Sequence, residues 1–172
     1  TIGARLTMNY IQPGGLMYDI KPDFAEKVKK LLPYLKGCIE QYETHLSGNV
    51  IFQERLRNIG IIDGQHALAL GCTGPVLRAS GVPYDLRAVE PYGVYDKVKF
   101  NVVVGAVGDC WDRYYVRLEE MRESVRIVEQ LIDSIPEGPY TTIRYNEEIV
   151  LPEGLHYGQI ETARGVFGVF IT

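Results

Sequence analysis

The chain has 172 residues, of which 46% are hydrophobic and 23% are charged, and its formal net charge is -4. This length and composition predict one globular domain and exclude a disordered chain, while the absence of an apolar run of roughly 20 residues excludes a membrane-spanning helix. With 18 Lys and Arg against 22 Asp and Glu residues, the charge balance also argues against broad nucleic-acid binding.

The first element in chain order is a turn. Gln12-Pro13-Gly14-Gly15 combines a proline that presets φ with glycines that tolerate positive φ values. Because the preceding residues are apolar and aromatic, we expect a helix to end at this turn. Residues 1–20 are therefore assigned to a helix end and turn.

A long helix is predicted over residues 22–46. Apolar or aromatic side chains recur there every three or four residues, which is the spacing of one helix face. They are Phe24, Val28, Leu31, Leu35, Cys38, Tyr42 and, less regularly, His45. Pro33 is expected to kink this helix because it removes one backbone donor.

Residues 50–108 are predicted to form a loop-rich connector, because glycines and prolines interrupt them repeatedly. Within the connector, residues 65–70 favour a short helix with Asp63 as its N-cap. The tract Lys97 to Val104 reads KVKFNVVV, which predicts a strand.

The strongest helix signal lies in residues 109–135, where apolar residues alternate three and four positions apart. They are Trp111, Tyr114, Leu118, Met121, Val125, Val128, Ile132 and Ile135. Asp109 is predicted as the N-cap, and the helix is expected to pack along this seam against the helix at 22–46.

Residues 140–172 predict a small β region, ending in the apolar run from Gly165 to Ile171. The whole pattern predicts a mainly α fold with a small β portion (α+β), in which two long packed helices are joined by the connector. Since the chain begins without methionine and its last predicted strand runs to the final residues, we expect it to be an excised piece.

The sequence offers no convincing catalytic or metal site. The histidines lie far apart, the carboxylate pairs Glu119-Glu120 and Asp109-x-x-Asp112 are explained by ion pairing and helix capping, and the glycine pairs lack phosphate-loop spacing. The three cysteines, Cys38, Cys72 and Cys110, form no C-x-x-C pair and predict neither a disulfide framework nor a metal centre.

One glycine-bounded segment is rich in charge. Its members Arg78, Asp85 and Arg87 are interpreted as either a buried ion network or a docking surface for another subunit, and we favour the network. From the residues alone, the chain is a helical interaction domain.

Several motifs, in order along nearly the whole chain, resemble the 49 kDa subunit of respiratory NADH:quinone oxidoreductase, complex I. They are Gly3-Ala4-Arg5-Leu6, Asn9-Tyr10-Ile11-Gln12-Pro13-Gly14-Gly15, Leu70-Gly71-Cys72-Thr73-Gly74-Pro75-Val76-Leu77-Arg78-Ala79-Ser80-Gly81, Tyr84-Asp85-Leu86-Arg87 and Gly108-Asp109-Cys110-Trp111-Asp112-Arg113-Tyr114. Glu161-Thr162-Ala163-Arg164-Gly165 is similar to the closing family motif E-[AS]-[PA]-[KR]-G-E.

This resemblance implies a fold shared with the large subunit of [NiFe] hydrogenases and a peripheral position on the cytoplasmic face of the bacterial inner membrane. The implied neighbours are the iron–sulfur subunit that carries the terminal cluster, other peripheral-arm subunits and a membrane-arm subunit at the quinone site. The resemblance implies a central fragment of the quinone-cavity subunit in a proton-translocating enzyme that passes electrons from NADH to quinone. NADH, FMN and the iron–sulfur clusters belong to the assembled complex, and we expect this chain to bind no cofactor or metal and to be inactive in isolation.

The resemblance also places Arg5 and Thr7 near the terminal iron–sulfur cluster. Many family members carry His where this chain has Thr7, and a hydroxyl cannot titrate near neutral pH as imidazole does. We therefore expect a cluster potential with little pH dependence and a low-potential quinone, menaquinone.

Two alternatives remain open at this point. Gln12 replaces an Arg of many family members, and Val166 replaces the closing Glu, so the large subunit of a membrane-bound [NiFe] hydrogenase competes with complex I. A structural helical adaptor is the alternative from another class.

Overall fold

The structure is a computed structural model that describes residues 9–143, 150 and 152–172. Its helices are α1 (Phe24–Tyr42), α2 (Val50–Leu56), α3 (Gly64–Ala69), α4 (Gly74–Ala79), α5 (Leu86–Val89) and α6 (Cys110–Leu131). Its strands are β1 (Ile11–Gln12), β2 (Gly15–Leu16), β3 (His156–Thr162) and β4 (Gly165–Ile171). A π-helical turn (Glu43–Ser47) follows α1, and a short 3-10 turn (Tyr95–Lys97) precedes α6.

The predicted fold class is confirmed: the described chain is mainly helical, and its two long helices are joined by a segment of short helices and loops. The core between α1 and α6 contains Leu32, Ile39, Leu118 and Val125. Ion pairs along one side of this contact join Lys29 to Asp133, Lys36 to Glu129 and Arg122 to Glu43. Along these three pairs the residue numbers rise from 29 to 43 on the α1 side and fall from 133 to 122 on the α6 side, so the two helices run antiparallel.

The structure corrects the expected packing face of α1. Leu32 and Ile39, which lie outside the predicted stripe, are buried with 6% and 5% exposure. Leu31, Leu35 and Tyr42 belong to the stripe and remain 41%, 37% and 46% exposed. α1 therefore has an apolar arc wider than its contact with α6, and periodicity alone could not tell which part of that arc is covered.

The predicted seam of α6 divides in the same way. Leu118, Val125 and Ile132 are buried with 1%, 8% and 7% exposure. The alternate members Met121, Val128 and Ile135 are 40%, 39% and 39% exposed. α1 thus covers one half of the seam and leaves the other half open.

The turn at Pro13 and Gly14 joins two strands. β1 and β2 pair antiparallel, and Gly14 has the positive φ, 83°, that the third position of a type II turn requires. The prediction of a helix ending here is therefore wrong for the described residues from 9 onward. Apolar composition fits a helix end and a hairpin equally well. Each strand of this hairpin has only two residues, too few to show the alternation that marks a strand in a sequence.

Two predictions for the connector have different outcomes. The short helix is confirmed as α3, capped by Asp63, which accepts a hydrogen bond from the His66 backbone N–H. The predicted strand over residues 97–104 is wrong. The backbone N–H groups of Lys99 and Asn101 donate to Gln130 and Glu123 of α6, so side chains of a helix replace the neighbouring strand that this segment lacks among the described residues.

The start of α6 confirms Asp109 as its N-cap. One oxygen of Asp109 accepts from the Asp112 backbone N–H at 2.8 Å, and the other accepts from the Asn58 N–H at 2.7 Å. The Asp112 carboxylate in turn accepts from the backbone N–H groups of residues 106–108. The Asp109 and Asp112 pair is therefore explained by backbone hydrogen bonds.

The β3–β4 hairpin reaches the helical body through the close approach of two glycines. A Cβ atom added to Gly74, at the start of α4, would lie 2.3 Å from the Cα atom of Gly165. Thr73 fixes the same contact because its hydroxyl oxygen accepts a hydrogen bond from the Val166 N–H at 3.0 Å. This contact seats the first residues of β4 on the N-terminus of α4.

We expect Gly74→Ala to lower the free energy of unfolding by about 1–3 kcal/mol more than the control Gly71→Ala. Both glycines have similar positive φ values, 63° and 68°, so both variants suffer similar backbone strain. A methyl group at Gly71 meets no atom within 4 Å, whereas one at Gly74 collides with Gly165. Urea unfolding of both variants measures the difference, and equal losses would contradict a close backbone contact.

Candidate functional site

The site is built around Arg78, which lies in α4 and is 1% exposed. A guanidinium group at this depth is stable only if its donors are paired. Its Nε donates to Glu120 at 2.7 Å, and its Nη1 donates to the Tyr84 carbonyl and to Glu161, each at 2.9 Å. Asp85 lies 3.6 Å from the same Nη1 and adds a further charge contact. Arg78 therefore joins three carboxylates that come from three different segments.

Asp85 links this arginine to a second one. It caps α5 by accepting from the Arg87 backbone N–H, and the Arg87 guanidinium donates to its two oxygens at 2.9 Å and 2.7 Å. The Arg87 guanidinium also lies 5.0 Å from the centre of the Phe100 ring, within cation–π range. The hydrogen bond to Asp85 raises the pKa of Arg87, so this arginine is permanently charged.

The structure thus brings together the three charged residues that the sequence singled out. It adds Glu120 of α6 and Glu161 of β3, and we call the five residues the arginine cluster. Glu120 and Glu161 lie 42 and 83 residues from Arg78 in the chain, so no local spacing links them. The only sequence signal was the position of Glu161 at the head of the quoted E-T-A-R-G motif. Arg5 and Thr7 lie outside the described residues.

Formal charges in the arginine cluster do not cancel. Two arginines face three carboxylates, which leaves one excess negative charge in a site where the side chains of Arg78, Asp85 and Glu161 are at most 3% exposed. One oxygen of Glu161, Oε2, is buried and has no hydrogen-bond partner among the described residues. A cleft of about 440 Å³ lies beside the cluster, and Arg117, Met121, Ser124, Thr162 and Ala163 complete its lining.

This arrangement is suited to holding elements together. The members of the cluster come from α4, the α5 cap, α6 and β3. The buried Arg78 guanidinium therefore connects α4 to three elements that are distant from one another in the sequence. The three histidines lie on the turn after α1, on α3 and on β3, and all are exposed. Within residues 9–143, 150 and 152–172, no three His, Cys, Asp or Glu side chains are grouped as metal ligands.

Asp85 gives the cluster a defined pH response. Burial raises the pKa of the Asp85 carboxyl. The hydrogen bonds and charge of Arg87, together with the charge of Arg78, lower this pKa by more than burial raises it, so it lies below its ordinary value. The stabilisation from the ionised form is therefore complete above the unfolded pKa of about 3.9 and is lost as the pH falls through the folded value.

We expect the difference in free energy of unfolding between the wild-type chain and Asp85→Asn to be largest near pH 7 and to shrink below about pH 4. Asp23→Asn is the control, since Asp23 pairs with Lys27 in solvent and its contribution is screened. Urea unfolding at several pH values from 7 to 3 measures, for each variant, the difference in free energy of unfolding from the wild-type chain. A difference for Asp85→Asn that stays constant over this pH range would contradict an ionised, stabilising Asp85.

Comparison with solved structures identifies the fold. The chain is similar to a chain in the structure of the membrane-bound sulfane sulfur reductase, an archaeal respiratory membrane complex, with a TM-score of 0.87 and 35% sequence identity. The match covers 94% of this chain and 45% of the other. The fold is accordingly that of the [NiFe]-hydrogenase-like subunits of respiratory complexes. Among the helices in the described part of the chain, none is long and apolar enough to cross a bilayer.

Sequence comparison identifies the family. The model of the family described as respiratory-chain NADH dehydrogenase, 49 Kd subunit, matches residues 1–146. The chain is 47% identical over 171 residues to an NADH-quinone oxidoreductase subunit of type C/D from Bacteroides thetaiotaomicron and 46% identical over 169 residues to one of type D from Desulforamulus reducens. These matches cover 99% and 98% of this chain, which spans 32% and 46% of the two relatives. The chain belongs to the 49 kDa subunit family of the respiratory-chain NADH dehydrogenase.

Proposed function

We propose that this chain forms the central part of the quinone-cavity subunit of a proton-translocating NADH:quinone oxidoreductase, which passes electrons from NADH through iron–sulfur clusters to a quinone. The observation that carries this proposal is the family match over residues 1–146, together with 46% identity to the Desulforamulus reducens relative over 98% of the chain. The fold likeness to a subunit of another respiratory membrane complex supports it.

Within that enzyme, the arginine cluster serves as a structural lock. Arg78 and Asp85 are each 1% exposed and their charges are already paired, so neither is available to bind a substrate. The cluster instead fixes β3 and the α5 region on α6. Its role is to keep a rigid scaffold beside the quinone cavity, whose chemistry belongs to the assembled complex.

The partners follow from the same proposal. The protein lies against the iron–sulfur subunit that carries the terminal cluster and contacts other peripheral-arm subunits and the membrane-arm subunit at the quinone site. It lies peripherally on the cytoplasmic face of the bacterial inner membrane. NADH, FMN and the iron–sulfur clusters are held by partner subunits, and this chain alone has no NADH:quinone oxidoreductase activity.

The decisive experiment replaces the 49 kDa subunit in its complex. Membranes from a strain that lacks the gene for this subunit are compared with membranes complemented by the full-length protein, and NADH-dependent reduction of a menaquinone analogue is measured. We expect activity only after complementation, and none from the purified 172-residue chain. Hydrogen production without quinone reduction would overturn the proposal in favour of a hydrogenase, and unchanged activity in the strain without the gene would favour an adaptor.

Thr7 gives the proposal a finer test. A threonine hydroxyl does not titrate near neutral pH, so the terminal cluster beside it has a midpoint potential with little pH dependence, suited to menaquinone. Redox titrations of the complex at several pH values measure this dependence. Thr7→His is expected to introduce a pH-dependent potential, and a strongly pH-dependent potential in the wild-type complex would contradict the assignment.

A further inference from the structure

The open half of the α1–α6 seam forms a groove. Its volume is about 480 Å³, its lining residues are apolar apart from Ser124, and α1 contributes Phe24, Leu31 and Leu35 to one wall. The other wall includes Val128 of α6 and Ile135, which lies beyond the end of this helix, and each is 39% exposed. Both helices therefore present apolar side chains, at helical spacing, to a space that no described residue fills.

The groove continues into the cleft beside the arginine cluster. Ser124 lines both of them, so one surface runs along a single face of α6. The lining residues of α6 on this face recur four and three positions apart and are Arg117, Met121, Ser124, Val128 and Leu131; Ile135 follows beyond the C-terminal end of the helix. From Arg117 to Leu131, the last residue of α6, the face is about 21 Å long, which matches a helix of about 14 residues. Its C-terminal part is apolar and its N-terminal part is polar.

The polar end contains the buried Glu161 oxygen that lacks a donor. A buried carboxylate oxygen without a partner is destabilising, and Glu161 Oε2 is the one side-chain atom of this kind in the described part of the chain. The excess negative charge of the arginine cluster favours a cationic donor over a neutral one. Arg117 lies at the same cleft, but its guanidinium donates to the Arg113 carbonyl of its own helix.

We propose that a third helix packs along this face of α6, with an apolar stripe in the α1–α6 groove and a lysine or arginine that enters the cleft and donates to Glu161. The helix comes from the part of the full-length subunit outside residues 1–172. In the Desulforamulus reducens relative the matched part is 46% of the polypeptide, so more than half of that protein is available to supply such a helix. The inference rests on family membership and these contacts, not on the proposed redox function.

The geometry explains why the seam residues alternate between buried and exposed. Leu118 and Val125 meet α1, whereas Met121 and Val128 are rotated toward the open face. A third helix seated over the groove would bury this second set, giving α6 one helical neighbour on each part of its apolar arc. The basic side chain would bring the arginine cluster to three positive and three negative charges.

Site-specific photo-cross-linking in the assembled complex tests the placement. A photoreactive phenylalanine analogue replaces Met121, and the control carries it at Tyr115, which is equally exposed at 40% but lies on another face of α6. We expect Met121 to cross-link to a helix of the same subunit that has apolar residues at spacings of three and four and a basic residue within one turn. A cross-link to another polypeptide, the same product from Tyr115, or a peptide without a basic residue would overturn the proposal.

Charge reversal tests the donor. Changing the cross-linked basic residue to Glu is expected to lower the yield of assembled complex severalfold, and adding Glu161→Gln, which removes the opposing charge but keeps an oxygen that can accept from Arg78, is expected to restore it. If the second change gives no rescue, or if Arg117→Gln alone reproduces the loss, the donor is not on the third helix. Electron transfer in the assembled fraction is a separate readout, so a failure here is distinguishable from a failure of the proposed function.

Discussion

Arg78→Ala is expected to lower the free energy of unfolding by about 3–5 kcal/mol. The substitution removes the guanidinium that pairs with Glu120 and Glu161, while both carboxylates stay where the surrounding elements hold them. Glu161, whose side chain is 3% exposed, would then keep its charge without a donor on either oxygen or would have to take up a proton. Asp85 would lose a charge contact as well.

Arg126→Ala is the matched control. Arg126 also pairs with a glutamate of α6, Glu123, but its side chain is 52% exposed, so the expected loss is below about 1 kcal/mol. Arg78→Lys separates charge from geometry, because an ammonium group keeps the positive charge but cannot reproduce the forked contacts to two carboxylates. Its stability is expected to lie between those of the wild type and Arg78→Ala.

Urea unfolding at pH 7 provides the measurement, and limited proteolysis shows which part opens first. In Arg78→Ala we expect earlier cleavage at the β3–β4 hairpin, because Glu161 of β3 is one of the groups that the cluster binds. Equal losses for Arg78→Ala and Arg126→Ala would contradict the role of the cluster as a structural lock. Loss of quinone reduction in a complex that assembles and melts normally would point to a direct catalytic role.

Features that depend on neighbouring residues could be predicted from the sequence. The Asp109 and Asp63 caps and the presence of the two long helices depend on residues within one or two turns, where composition and spacing carry the information. The helix ends were predicted less well, because α6 ends at Leu131 although its apolar spacing continues to Ile135. Features that depend on distant residues could not be predicted. Glu120 and Glu161 meet Arg78 only because the chain folds back over 42 and 83 residues.

The errors have the same origin. The stretch at residues 97–104 has strand composition, but α6 offers Gln130 and Glu123 where a strand would offer backbone groups. Composition specifies an extended backbone and does not specify its neighbour. On α1, a broad apolar arc contains several equally good stripes, and the position of α6 decides that Leu32 and Ile39 are the buried pair.

α6 connects the two halves of this structure. Toward α1 it supplies the apolar core, and toward α4 and β3 it supplies Glu120 of the arginine cluster. A rotation of α6 would therefore weaken the core and the cluster together. This coupling predicts that core and cluster substitutions on α6 destabilise the same cooperative unit, which single-transition urea curves for both would support.

Leu118→Ala is expected to lower the free energy of unfolding by about 2–5 kcal/mol, because it opens a cavity between α1 and α6 at a residue that is 1% exposed. Met121→Ala removes a side chain of similar size from the next turn of the same helix. Since Met121 is 40% exposed, its loss in the 172-residue chain is expected to be much smaller. Urea unfolding of both variants in this chain measures the contrast, and equal losses would contradict the observed division of the seam.

The same pair of variants behaves differently when the open face is covered. In the full-length subunit, a helix packed over Met121 would bury it, so Met121→Ala should approach Leu118→Ala in its effect on thermal stability. Leu118 is already buried between α1 and α6, so Leu118→Ala should lower the free energy of unfolding by about the same amount in the 172-residue chain and in the full-length subunit. An unchanged, small effect of Met121→Ala in the full-length subunit would mean that this face of α6 stays open to solvent.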